Sequence, residues 1–197
     1  MKIRIALFVI IALVFILAAC GGGKPEASPT DEPLTIWEYE KVCRQGTVEE
    51  ATVYEASAET VHPILIFQRD SADTNSYNSV SNTILELPET WMVDYEGDAT
   101  TVELVVCVTR APGEFVESCE YEDEKDGSAF ILNTHNASYD VRVFAATSGE
   151  EIANTTIEVE YGECPMFYMF SDEQEEDTFA YLDGAKLQSF LTQYVEP

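Results

Sequence analysis

Cys20 constrains this chain more than any other residue, because it decides where the rest folds and which cysteines remain to shape it. It follows Leu17-Ala18-Ala19 at the end of an apolar run from Ile5 to Leu17, with Lys2 and Arg4 ahead of that run. A cationic start, an apolar core and small residues before a cleavage point define a secretory signal. With cysteine at that point, the segment reads as a bacterial lipobox. Residues 1–19 are expected to be a cleaved signal peptide, and Cys20 to carry a diacylglycerol and a palmitate-type acylated amine. The run is too short for a bilayer-spanning helix, which needs about 20 residues. Residues 20–33 are expected to be the lipidated cysteine and a flexible tether, because glycines, prolines and small polar groups bury too little apolar surface to fold. Residues 34–197 then form one extracytoplasmic domain, lipid-anchored at the cell membrane.

Export also sets the redox setting. Of five cysteines, lipidation removes one and leaves Cys43, Cys107, Cys119 and Cys164. An even number outside the cytoplasm favours disulfides. With no Cys-x-x-Cys and two histidines, zinc ligation is disfavoured.

Charge narrows the partners. Losing Lys2 and Arg4 with no acids takes the formal charge from -27 to -29. No nucleic acid is expected as a partner, since phosphate neutralisation needs basic residues. An anionic bilayer would be gripped only through acylated Cys20. The acids fit a solvated surface, a high-salt setting or a cationic ligand.

Alternation dominates the domain. Thr101–Thr109 places Val102, Leu104, Val106 and Val108 on one face. Arg110-Ala111-Pro112-Gly113-Glu114 carries turn chemistry, and Phe115–Glu122 reads as the returning strand. A hairpin centred on Gly113 opposes Cys107 to Cys119, which pairs them and leaves Cys43 to Cys164. In a second hairpin, Tyr139, Val141, Val143 and Ala145 share a face. A three-residue loop with Gly149 left-handed would pair Val143 with Ala153 and Tyr139 with Ile157. Leu34–Glu40 and His62–Gln68 read as strands, and Ala129–Leu132 as the start of another. Glu49–Glu59 reads as a short helix or irregular chain, Ser71–Val80 as a loop and Asp172–Asp177 as a solvated linker. Asp183 caps a helix over Gly184–Val195, with Leu187, Phe190, Leu191 and Tyr194 at helical spacing. The expected fold is mainly β, an antiparallel sheet or β-sandwich-like domain with a C-terminal helix.

The chain resembles a small family of uncharacterised, disulfide-bearing extracytoplasmic domains of bacterial lipoproteins and envelope proteins. The likeness rests on Val42-Cys43, His62-Pro63, Leu87-Pro88 with Trp91, Glu103 to Val108, and Cys119-Glu120-Tyr121. It continues through Tyr139 to Val143, Thr147 to Glu150, Cys164-Pro165 and Phe190 to Val195. It implies the four-cysteine framework and brings no catalytic residue with it.

Chemistry is sparse. His62 and His135 are the available bases, but no Gly-x-Ser-x-Gly elbow accompanies them and the cysteines are committed to disulfides. Glu122, Glu124, Asp126 and Gly127 imitate a calcium loop, a weak candidate for structural calcium, yet its twelfth position is Asn133 instead of a bidentate Glu. Asn136-Ala137-Ser138 and Asn154-Thr155-Thr156 match the glycosylation sequon. Aromatics at alternating strand positions read as core. The function expected is non-enzymatic: binding an envelope protein or a solute, or a structural role. The alternative is a calcium- or carbohydrate-binding accessory module of a transporter or surface enzyme.

Overall fold

The computed structural model describes residues 33–123, 127–171 and 173–197; the expected signal peptide, Cys20 and most of the expected tether lie outside them. Leu34–Pro197 forms one compact unit, and it is mainly β. Six strands make one sheet: β1 (Ile64–Arg69), β2 (Asn78–Ser79), β3 (Leu104–Glu122), β4 (Ala129–Ala145), β5 (Glu151–Val159) and β6 (Glu175–Phe179). The order is β2-β1-β3-β4-β5, with β6 beside the far half of β4. The sheet is mixed, not antiparallel throughout. β1 runs parallel to β3, and β6 parallel to β4.

β3 and β4 are the spine, and they correct the first expected hairpin. The chain does not reverse at Pro112-Gly113. It continues through β-bulges, and β3 pairs with β4 from Leu104↔Ala145 to Glu122↔Ala129. The glycine serves close approach, not a turn: a Cβ on Gly113 would lie 2.8 Å from the Asn136 backbone. Proline is tolerated because β1 pairing stops at Thr109, so the Pro112 edge needs no donor. The reversal comes after Glu122, where Gly127 takes a positive φ of 73°.

The second hairpin keeps the expected pairs and the left-handed glycine, but a register shift after Val143 sets Phe144 opposite Glu151, so its loop is longer than the three residues expected. Val143 pairs with Ala153, Tyr139 with Ile157, and Gly149 is left-handed at φ 66°. The C-terminal helix matches expectation. It is α2, Gly184–Val195, and the Asp183 side chain accepts the Lys186 N–H; a four-residue helix, α1 (Asn82–Leu85), precedes it in the chain.

Two clusters cover the two faces of the sheet. On one face Ile64, Ile66, Leu104, Val106, Tyr139, Val141 and Val143 meet Leu187, Leu191 and Val195 of α2. On the other, Leu65, Phe67, Val105, Cys107 and Phe144 meet Ile36, Tyr39 and Val42. These last three belong to a 3-10 helix, Ile36–Arg44, where a strand was expected. Their three-residue spacing suits three residues per turn, and Thr35 N–H donates to Glu38 Oε2 at 2.8 Å. Glu49–Glu59 is irregular, Ser71–Val80 is loop apart from β2, and the expected linker over Asp172–Asp177 instead runs into β6.

Candidate functional site

The disulfides join Cys43 to Cys107 and Cys119 to Cys164. The expected Cys107–Cys119 and Cys43–Cys164 pairs are therefore overturned. Cys107 and Cys119 occupy one strand, twelve residues apart, which at about 3.3 Å per residue keeps them tens of ångströms from each other. Cys107 opposes Arg142 and Cys119 opposes Leu132. Both partners are even-numbered residues of β4, so both bridges stand on the same sheet face. One pins the end of the 3-10 helix there. The other pins the segment between β5 and β6.

That second segment, Cys164-Pro165-Met166-Phe167-Tyr168-Met169-Phe170, divides its apolar groups. Phe170 turns inward against Phe130, Tyr121 and Tyr168, with ring centroids 4.9, 5.5 and 5.0 Å away. The Tyr121 hydroxyl donates to the Pro165 carbonyl at 2.7 Å, and Ser171 N–H donates to Glu176 Oε1 at 2.6 Å. Met166, Phe167 and Met169 face outward, 97%, 83% and 91% exposed. No Lys or Arg occurs between Arg142 and Lys186, and Glu160, Glu163, Glu173 and Glu175 stand exposed around this stretch. The serine bonds hold the Glu176 carboxyl below the usual carboxylate range.

Nearer the 3-10 helix, the same face opens into a cavity of about 290 Å³ beside the Cys43–Cys107 bridge. Arg44, Arg69 and Arg142 line it, three of the four arginines of residues 34–197. Arg44 donates to Glu40 at 2.5 Å and Arg142 to Glu151; Arg142 also lies over the Phe144 ring. Arg69 lies over Tyr77 and donates Nε–H to the Thr109 hydroxyl at 2.9 Å. The fourth arginine, Arg110, sits 3.6 Å from Asp70 and over the Phe179 ring.

The histidines are placed structurally. His62 is 2% exposed, with Nδ1 at 2.5 Å from Glu103 Oε2 and its ring edge-on to Tyr54. Its N–H donates to the Val195 carbonyl, tying the end of α2 to the start of β1. His135 Nε2 lies 2.8 Å from Asp177, between the Phe115 and Phe179 rings. Among the described residues neither histidine has a serine or thiol partner. Of the calcium candidates, Glu122 ends β3, while Glu124 and Asp126 lie outside the described residues. Among the described residues no group of three or more His, Cys, Asp or Glu could hold a metal. Among the described aromatics Tyr39, Phe67, Tyr77, Trp91, Tyr139 and Phe144 are core, whereas Trp37, Tyr95, Phe115, Phe167 and Tyr181 are exposed.

Neither the outward Met-Phe-Met nor the arginine cavity was anticipated from sequence. The first had a signal, a run of large apolar residues without strand alternation between acidic stretches. The second had none, since its arginines come from elements far apart in the chain. No family model, no curated protein and no solved structure matches this chain.

Proposed function

We propose that this is a non-enzymatic, lipid-anchored extracytoplasmic domain, lipidated at Cys20 and built to dock a cationic envelope protein. The observation that carries the reading is the outward display of Met166, Phe167 and Met169 on a segment pinned by Cys119–Cys164. Singly exposed apolar residues are ordinary, but three large ones presented together on a braced loop mark an interaction surface. Methionine suits the task because its flexible, polarisable thioether adapts to a partner. The braced loop has less conformational freedom to lose on binding.

The occupant follows from the rim. The acids of this stretch, with no Lys or Arg between Arg142 and Lys186, select an apolar socket bordered by Lys and Arg. A second copy would bring like charge against like, in a chain of formal charge -27, and an anionic bilayer would be repelled in the same way. The resemblance to extracytoplasmic four-cysteine domains agrees with this setting.

The test is native-gel analysis of membranes solubilised in nonionic detergent. Wild-type chain should run in an assembly well above its own 22.0 kDa, while M166S/F167S/M169S should run alone, with both species equally folded by circular dichroism. Identical migration of the two would refute the reading. So would an assembly in which two differently tagged copies of this chain co-migrate without another protein.

A further inference from the structure

The arginine cavity is separate from the docking segment, and its charges do not cancel evenly. Arg44 meets Glu40 and Arg142 meets Glu151. Glu40 Oε1 also accepts the Tyr77 N–H at 2.9 Å, which fixes the carboxylate that holds Arg44. Two of the three guanidinium charges are thus balanced from outside the cavity, and each arginine keeps further N–H donors out of the five a guanidinium carries. Two charged groups remain on the wall. Arg69 has no carboxylate partner among the described residues; its bonds go to the Thr109 hydroxyl and, at 3.5 Å, the Thr74 carbonyl. Asp140 contributes a carboxylate to the same lining.

Their placement is set by strand register. Arg69 pairs with Thr109, and Thr109 pairs with Asp140, so the three lie in one row across β1, β3 and β4. With strands about 4.8 Å apart, the cation and the anion stand two strands from each other. They make no ion pair together. Thr109 occupies the middle of the row and takes up the Arg69 Nε–H, while one outer nitrogen makes the long contact to the Thr74 carbonyl, which leaves further guanidinium N–H donors for a ligand.

We propose that this cavity binds a small zwitterion, one carboxylate and one cationic nitrogen, with the carboxylate on Arg69 and its neighbouring arginines and the nitrogen on Asp140. Guanidinium forks match carboxylate geometry bidentately. A multiply charged oxyanion fits worse, because its second charge would face Asp140. A volume of about 290 Å³ lies at the small end for ligand cavities, which suits a solute of amino-acid size. A plain carboxylate would bring a negative charge toward Asp140 with no cation to offset it.

The test is isothermal titration calorimetry on the full chain in nonionic detergent, with γ-aminobutyrate, butyrate and inorganic phosphate as probes. γ-Aminobutyrate should bind saturably, at least tenfold more tightly than butyrate, and phosphate should not compete with it. R69Q should abolish binding of γ-aminobutyrate. D140N should erase the preference, bringing γ-aminobutyrate and butyrate to equal affinity. Melting temperatures near wild type would show that both variants fold, since both side chains sit at the cavity wall and not in either core. Phosphate binding more tightly than γ-aminobutyrate would overturn the proposal, as would no saturable heat from either organic probe, or R69Q and D140N that leave both affinities unchanged.

Discussion

Removing disulfides in chosen pairs gives a quantitative test of the face on which both candidate sites are built. The bridges span 64 residues for Cys43–Cys107 and 45 for Cys119–Cys164. In the chain-entropy model each removes unfolded-state freedom worth about 4 kcal/mol, the slow logarithm making the two nearly equal. C43A/C107A should therefore lose about 4 kcal/mol, and C119A/C164A about the same. C107A/C119A breaks one end of both bridges and should lose about 8 kcal/mol once the remaining thiols are alkylated. That approaches the whole stability of a domain, about 5–15 kcal/mol, so this variant should be largely unfolded at 25 °C. The assay is urea denaturation followed by tryptophan fluorescence, with non-reducing peptide mapping of the wild type alongside. A hairpin closing at Gly113 would reverse the order, because C107A/C119A would then break a single short loop. If that variant is the mildest of the three, or if mapping joins Cys107 to Cys119, both the strand register and the common face are wrong.

Three further expectations concern the core, the alkaline limit and the anchor. Leu191→Ala empties a fully buried position of α2 and should cost about 2–5 kcal/mol by urea denaturation; a loss well under 1 kcal/mol would mean that α2 does not close its face of the sheet. Burial raises the Tyr39 and Tyr139 hydroxyls above their ordinary range, so the folded state holds these protons more tightly than the unfolded chain does. Their contribution is complete below the unfolded value of about 10 and is lost as pH rises above it. Absorbance at 295 nm should therefore show some phenols ionising only as the domain unfolds, and reversible titration of all ten tyrosines in the folded state would contradict this. Cys20→Ser should move the exported chain from the membrane fraction to the soluble one, and retention on membranes after signal cleavage would refute lipid anchoring.

What was legible in the sequence was local. The left-handed Gly149 and the Asp183 cap each state their geometry within a few residues, and the structure agrees with both, though the loop around Gly149 is longer than expected. The first hairpin misled because Pro-Gly serves two purposes. At 112–113 it marks a bulge where two backbones approach, while the reversal lies between Glu122 and Ala129, where Gly127 is left-handed. The 3-10 helix was readable in Thr35-x-x-Glu38 and in Ile36, Tyr39 and Val42, but a strand reading of Leu34–Glu40 masked it. β6 was not readable. Glu175-Glu176-Asp177 has poor strand propensity, and it pairs because Asn133 and His135 on β4 reach Glu175 and Asp177. The arginine cavity depends on the parallel pairing of β1 with β3, and no local pattern encodes a long-range register.

The central claim, that the braced Met-Phe-Met segment docks a cationic protein, is tested most directly by site-specific photo-crosslinking from position 167 in intact cells, followed by sequencing of the joined peptide. The account predicts one discrete protein adduct, joined through an apolar stretch bordered by Lys and Arg, and lost when Met166 and Met169 are replaced by serine. Adducts to lipid, to a second copy of this chain, or to no protein would contradict it.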